Sequence, residues 1–202
     1  MTKYSQIAMI DILTPRSIEY YQKLRKMGVN DAIIRLSTSN YSSYFEIASI
    51  HTDLAKRSGM RVHASLATDL TNPFHDARYF FATYQRLGYS FGSKTMIQCL
   101  PDDRVKDPAK RLHELLGYIS YFVNKDDIDI AVDKRYIDEN RLKIADIPDY
   151  FNLTIINVNK LNSGIDRAGT WIYTDNFEGE LQYLGYDYYG FYTKEGYQLS
   201  LD

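Results

Sequence analysis

The chain has 202 residues, with 24 Lys and Arg against 26 Asp and Glu for a formal net charge of −2, and 45% of its residues are hydrophobic. This balance is ordinary for a globular domain, implies no general attraction to nucleic acid or anionic membrane, and contains no basic cluster that would track phosphates. The single cysteine, Cys99, excludes an internal disulfide and a Cys-based zinc site. No stretch is long and apolar enough to span a bilayer, and MTKYSQIAMIDIL lacks the apolar core of a signal peptide. The expectation is therefore cytoplasmic synthesis with no membrane span.

In chain order, Gln6 to Leu13 is a first strand, apolar except for Asp11 near its C-terminal end. Thr14-Pro15 turns the chain, and Ser17 starts a helix with Ile18, Tyr21 and Leu24 on one face and Gly28 at its end. Ala32 to Leu36 is a second buried strand, followed by a polar loop from Ser37 to Ser43. The pattern then gives a helix from Tyr44 to Ser58 and a third strand from Arg61 to Leu66. Asn72-Pro73 opens a helix that ends at Gly88, because proline is tolerated at the first helical position. Thr95 to Leu100 is a fourth strand running into Pro101, Asp102 and Asp103, and Pro108 opens the next helix. Asp129 to Val132 is strand five, with a weaker helical segment through Ile144. Beyond it, Leu153 to Val158, Thr170 to Thr174 and Tyr186 to Tyr192 read as three strands without convincing helices between them. The prediction is one α/β domain over residues 1–202. Its parallel sheet closes into an irregular, TIM-barrel-like (β/α) barrel with abbreviated helices in the last third.

Parallel barrels carry their chemistry at the C-terminal ends of the strands. This directs attention to Asp11 and to the segment Gln98, Leu100, Asp102 and Asp103. An ionised Asp11 inside an apolar strand is costly unless it is paired or faces a cleft, so it is either part of a site or a structural partner of Arg35 or of loop amides. Asp187, set among Tyr186, Tyr188 and Tyr189, leaves the same two readings. Asp126, Asp127, Asp129 and Asp133 read as a solvated strand entrance, since the Gly and terminal Glu of a calcium loop are missing. His63 reads as a hydrogen-bonded barrel residue and Cys99 as an inert core thiol. The four histidines show no metal-ligand spacing, so no catalytic metal is expected.

The order of segments resembles the family-25 glycoside hydrolases, the lysozyme-like muramidases of bacteria and their phages. Met9-Ile10-Asp11-Ile12-Leu13 stands where that family opens with Gly-x-Asp-x-Ser, and Ile33-Ile34-Arg35-Leu36-Ser37-Thr38 resembles its second strand, Ile-Ile-Lys-Ala-Thr-Glu. Asp76-Ala77-Arg78-Tyr79-Phe80 resembles its Ala-x-x-Phe helix. Trp171-Ile172-Tyr173-Thr174 is similar to Trp-Gln-Tyr-Thr, and Gly185-Tyr186-Asp187 to a closing Gly-x-Asp-x-Asn. The resemblance implies an irregular β/α barrel that hydrolyses the β-1,4 bond beside N-acetylmuramic acid in peptidoglycan, without a cofactor.

The departures fall on the chemistry. The family's fourth-strand Asp-x-Glu, whose glutamate is the proton donor, is matched by Gln98 and Leu100. Its second-strand glutamate is matched by Thr38, and its sixth-strand tryptophan by Thr154. Two readings stay open for activity. In one, Asp102 or Asp103 replaces the missing acid beside Asp11 or Asp187. In the other, muramidase activity is weak or lost and the cleft binds peptidoglycan or a related glycan through Arg35, Gln98, Trp171, Tyr173 and Tyr188. In a third class, the Tyr-rich run from Tyr183 to Tyr192 forms a protein contact surface, including one between copies of the chain. Such a protein would reach the cell wall by a phage-type or prophage-type release.

Overall fold

The computed structural model describes residues 5–11, 15–40, 44–89 and 92–193. Part of the predicted first strand (Ile12, Leu13) and part of the Ser37–Ser43 loop lie outside the described residues. Eight strands close into one barrel in chain order: β1 Ser5–Ile10, β2 Val29–Thr38, β3 Arg61–Thr68, β4 Thr95–Cys99, β5 Ile128–Asp133, β6 Asn152–Ile156, β7 Thr170–Phe177 and β8 Glu180–Asp187. Between them run α1 Ile18–Lys26, α2 Phe45–Arg57, α3 Pro73–Arg86, α4 Pro108–Ile119 and the short α5 Lys134–Asp138.

The helix starts follow from local chemistry. Asn72 and Asp107 accept backbone N–H groups of His75 and Lys110, and Pro73 and Pro108 occupy the first turn, where a missing N–H costs nothing. Between β6 and β7, residues 157–169 form no helix, which accounts for the short chain length.

Seven strands run parallel, and β8 alone runs against both of its neighbours, β7 and β1. This corrects the all-parallel prediction and moves strand eight from Tyr186–Tyr192 back to Glu180–Asp187. The cause is a tight hairpin at Glu178-Gly179, where both residues have positive φ (54° and 87°). Gly185 is needed where this reversed strand crosses between its neighbours. A Cβ there would lie 2.6 Å from Ile172 Cδ1 and 2.9 Å from the Trp171 carbonyl oxygen.

Successive strand residues point to opposite faces, and the two faces have different compositions. The outer face, carrying Ile34, Leu66, Ile97, Ile130, Val132 and Leu153, packs against the helices. The barrel interior holds a smaller apolar layer of Ile7, Met9, Ile33, Met96, Ala131, Ile156 and Ile172. Polar residues lie above and below that layer.

Below it, at the N-terminal ends of the parallel strands, the barrel is closed by a buried polar network. Asp31 receives a two-point bond from Arg61 (2.7 and 2.9 Å) and a bond from His63 Nε2 at 3.1 Å. His63 Nδ1 accepts the Lys94 amide at 3.0 Å, so the proton sits on Nε2 and donates to Asp31. Tyr192, from the segment that follows β8, enters this base, with its hydroxyl 2.5 Å from Asp129 Oδ2 and its ring 5.1 Å from that of His63. Asp129 also accepts from Thr154 and Asn152. Asp129 is thus fully buried inside the barrel, which corrects its reading as part of a solvated strand entrance.

Candidate functional site

Above the apolar layer the same alternation brings polar side chains to the C-terminal mouth. Asp11 follows directly on β1, Arg35 lies on β2, Gln98 on β4, Asp133 ends β5, and Tyr183 comes from β8. A cleft of about 450 Å³ opens here, lined by Asp11, Arg35, Thr38, Tyr44, Leu100 and Tyr136, with Asp69, Asp102, Asp103, Arg104 and Arg141 around its rim. The size suits a few sugar rings or a small ligand.

Arg35 organises the floor. Its Nη2 donates to Gln98 Oε1, and its Nε has no hydrogen-bond partner among the described residues. Burial lowers its pKa, while the nearby charge of Asp11 acts in the opposite direction and favours the cation. Tyr183 is raised first by burial and then by Asp175, with Asp133 and Asp11 adding to the effect and Arg35 opposing it. The carboxylates of Asp11 and Asp133 are thus close enough to act on the Tyr183 phenol, and Asp11 also acts on the Arg35 guanidinium.

Asp102 is held elsewhere. Its carboxylate accepts from Arg104 Nε (2.8 Å), Arg104 Nη2 (3.0 Å) and the Arg104 amide (2.8 Å). These bonds push it down to about 2, the reverse of what a proton donor needs. Asp103 projects into solvent and pairs with Arg141 at 2.8 Å. Behind the rim, buried Asp76 accepts from Ser39 and Thr68 (both 2.7 Å) and so fixes the ends of β2 and β3.

The remaining predicted site residues lie away from the mouth. Asp187 is at the opposite end of the barrel, paired in register with Ser5 and Thr170 at the starts of β1 and β7. It accepts the Phe191 and Tyr192 amides (3.0 and 2.9 Å) and so fastens the Tyr192 plug. Asp187, expected as a candidate catalytic residue, therefore does not share the mouth with Asp11, Asp102 or Asp103, because β8 runs antiparallel and ends at the base. Trp171 and Tyr173 point outward from β7 and pack on Tyr186, the Tyr173 and Tyr186 rings stacked at 4.4 Å. Trp171 is only 7% exposed, and its indole N–H donates to the Asn157 carbonyl. Tyr188 lines a side groove with Tyr186 and Tyr189, not the mouth. Of the run from Tyr183 to Tyr192, Tyr183 enters the mouth, Tyr192 plugs the base and Tyr189 is strongly exposed, so the run does not form one flat surface. Cys99 is fully buried, and burial pushes its thiol up to about 12.

Tyr183, Asp133, Tyr44 and Arg141 are cleft or mouth residues that the sequence reading missed. Tyr183 was legible only through the period-2 alternation of a correctly placed β8. Among the described residues no group of three or more His, Cys, Asp or Glu is arranged to hold a metal ion, and no helix is long and apolar enough to cross a membrane.

No protein-family model and no curated protein matches the chain. Solved structures do. The catalytic domain of an endolysin from a bacteriophage of Listeria monocytogenes aligns with TM-score 0.76 at 10% identity, covering 96% of this chain and 98% of that one. A family 25 glycosyl hydrolase from Bacillus anthracis aligns with TM-score 0.70 at 15% identity, over 93% and 91% of the two chains. The modular autolysin LytC from Streptococcus pneumoniae, solved with a synthetic peptidoglycan ligand, aligns with TM-score 0.71 at 14% identity. That match covers 90% of this chain and 46% of the autolysin, so the chain spans about half of its length. The chain has the fold of the family-25 lysozymes.

Proposed function

We propose that this barrel grips cell-wall glycan at the mouth formed by Asp11, Arg35 and Gln98, and that its β-1,4-N-acetylmuramide hydrolysis is weak or lost. The observation that carries this reading is the Arg35–Gln98 hydrogen bond. It engages the fourth-strand position where the lysozyme resemblance calls for a carboxylate, and two residues on, at the proton-donor position, stands Leu100. Glycoside hydrolysis needs two carboxyl groups flanking the bond, one of them protonated at working pH. An amide and an aliphatic chain supply neither, and Asp102, nearest along the chain, is held ionised by Arg104.

What remains suits binding. Asp11, Arg35, Gln98 and Tyr183 offer acceptors and donors to sugar hydroxyls on a floor whose rotamers are set by their neighbours. The autolysin with this fold that was solved with a peptidoglycan ligand supports glycan as the ligand class. Delivery to the wall would follow a phage-type release, as the endolysin likeness suggests.

Co-sedimentation tests this proposal. Wild-type protein is expected to pellet with purified Gram-positive cell walls and with chitin, and Arg35→Ala is expected to stay in the supernatant while keeping its circular dichroism spectrum. Wild type that remains soluble with both materials would refute glycan binding.

A further inference from the structure

The base of the barrel, opposite the mouth, holds three buried carboxylates: Asp31 on β2, Asp129 on β5 and Asp187 at the end of β8. Asp31 is matched by the two-point bond from Arg61. His63 is committed on both ring nitrogens, to Asp31 and to the Lys94 amide. The Lys56 and Lys94 ammonium groups lie over the Tyr89 and Phe191 rings, and Lys94 pairs with Asp127. β1, β4 and β6 carry no charged residue. Among the described residues, Asp129 and Asp187 therefore accept only from neutral groups. Asp129 takes Asn152, Thr154 and the Tyr192 hydroxyl, and Asp187 takes the Phe191 and Tyr192 amides and the Thr193 hydroxyl at 3.3 Å.

The Tyr192 hydroxyl, the two amides and the Thr193 hydroxyl all come from one short segment. It leaves β8 at Tyr188, whose amide is held by the Gly169 carbonyl at 2.9 Å, and it contains a turn at Gly190, with φ 69°. Tyr192 then packs with Ile7, Met9, Ile33 and Met96 inside the barrel. Phe191 and Tyr192 also line a cavity of about 480 Å³, together with Arg61, His63 and Lys94. The Tyr192 side chain thus reaches from this cavity to Asp129.

Seating the segment takes two carboxylates out of water without a counter-cation. The donor bonds favour the ionised forms, and burial opposes them. Burial is the larger effect: it pushes Asp129 up to about 6 and raises Asp187. In an opened base, water reaches these groups and they return toward the ordinary ~3.9. The seated state therefore holds a proton more tightly than the open one, and rising pH favours opening. We propose that residues 189–193 form a proton-controlled plug, seated while Asp129 or Asp187 is protonated and loosened as both ionise, which opens the base to solvent without unfolding the strands.

Amide hydrogen exchange of the wild-type protein between pH 5 and pH 8, corrected for intrinsic rates, tests this. Protection of the Phe191 and Tyr192 amides is expected to fall about tenfold over that range, as the difference between ~3.9 and about 6 allows. At each pH these amides are expected to exchange faster than those of Ile33 and Ile34 in β2. Asp129→Asn is expected to lose most of the pH dependence. Constant protection in wild type overturns the proposal. So does exchange of the plug in step with β2, which would mean that the base opens only by global unfolding. An Asp129→Asn protein with undiminished pH dependence also overturns it. If that variant does not fold, the Asp129 carboxyl carbon is followed by NMR in wild type, where a midpoint near ~3.9 contradicts the plug and one near 6 supports it.

Discussion

Arg35 on β2, which lines the cleft together with Asp11, reaches past β3 and donates from Nη2 to Oε1 of Gln98 on β4. This bond links two non-adjacent strands and fixes a cation at the floor of the cleft. Replacing Gln98 with Leu removes the partner and leaves the guanidinium of a partly buried arginine unsatisfied. The expected loss is about 1–3 kcal/mol of folding stability, read by urea unfolding, while Gln98→Glu keeps an acceptor and stays near wild type. A Gln98→Leu protein as stable as wild type would show that Arg35 does not depend on this bond.

At the other end of the barrel, burial pushes the Asp129 carboxyl up to about 6, against the bonds from Thr154, Tyr192 and Asn152. An unfolded aspartate titrates near ~3.9. The folded state therefore binds this proton more tightly than the unfolded chain does. The stabilisation is fully present below about pH 4 and is lost as pH rises through about 6, a swing on the order of 2–3 kcal/mol. Between those limits, wild-type stability is expected to fall relative to that of Asp129→Asn, which cannot titrate. Parallel pH–stability curves for the two proteins would contradict this.

Gly185 permits the close crossing of the reversed strand. An added methyl group would meet Ile172 Cδ1 at 2.6 Å, the Trp171 carbonyl oxygen at 2.9 Å and Ile7 Cγ1 at 3.2 Å. Gly185→Ala is expected to destabilise the barrel by roughly 1–3 kcal/mol through overpacking, whereas Gly179→Ala in the exposed turn acts only through its positive φ. Chemical denaturation of both variants separates the two effects, and an unchanged Gly185→Ala midpoint would count against the packing argument.

The barrel was legible because its punctuation is local. Asn72-Pro73 and Asp107-Pro108 announce helices by chemistry confined to a few residues, and the structure places α3 and α4 there. The direction of β8 was not legible. Glu180–Asp187 carries Glu, Gln and Gly and scores poorly as a strand, while the aromatic run after Gly185 scores well. Propensity therefore favoured the wrong window, although the Glu178-Gly179 turn was visible in the chain. That displacement hid Tyr183, while the reading of Asp187 as a site residue came from the resemblance and not from its place in a strand. Asp129 failed differently, because acidic residues around a strand look solvated until Tyr192, far along the chain, closes over them. Asp11 and Arg35 were recoverable, since each is a charge in an apolar strand with few places to go.

The most direct measurement is turbidity loss of a Gram-positive cell-wall suspension, with wild type run beside Asp11→Asn. With Gln98 and Leu100 at the fourth-strand positions and Asp102 bound to Arg104, wild type is expected to clear the walls no faster than the variant does, even where it co-sediments with them. Clearing by wild type that disappears in Asp11→Asn would show a working muramidase with a relocated acid, and would contradict the loss of hydrolysis proposed here.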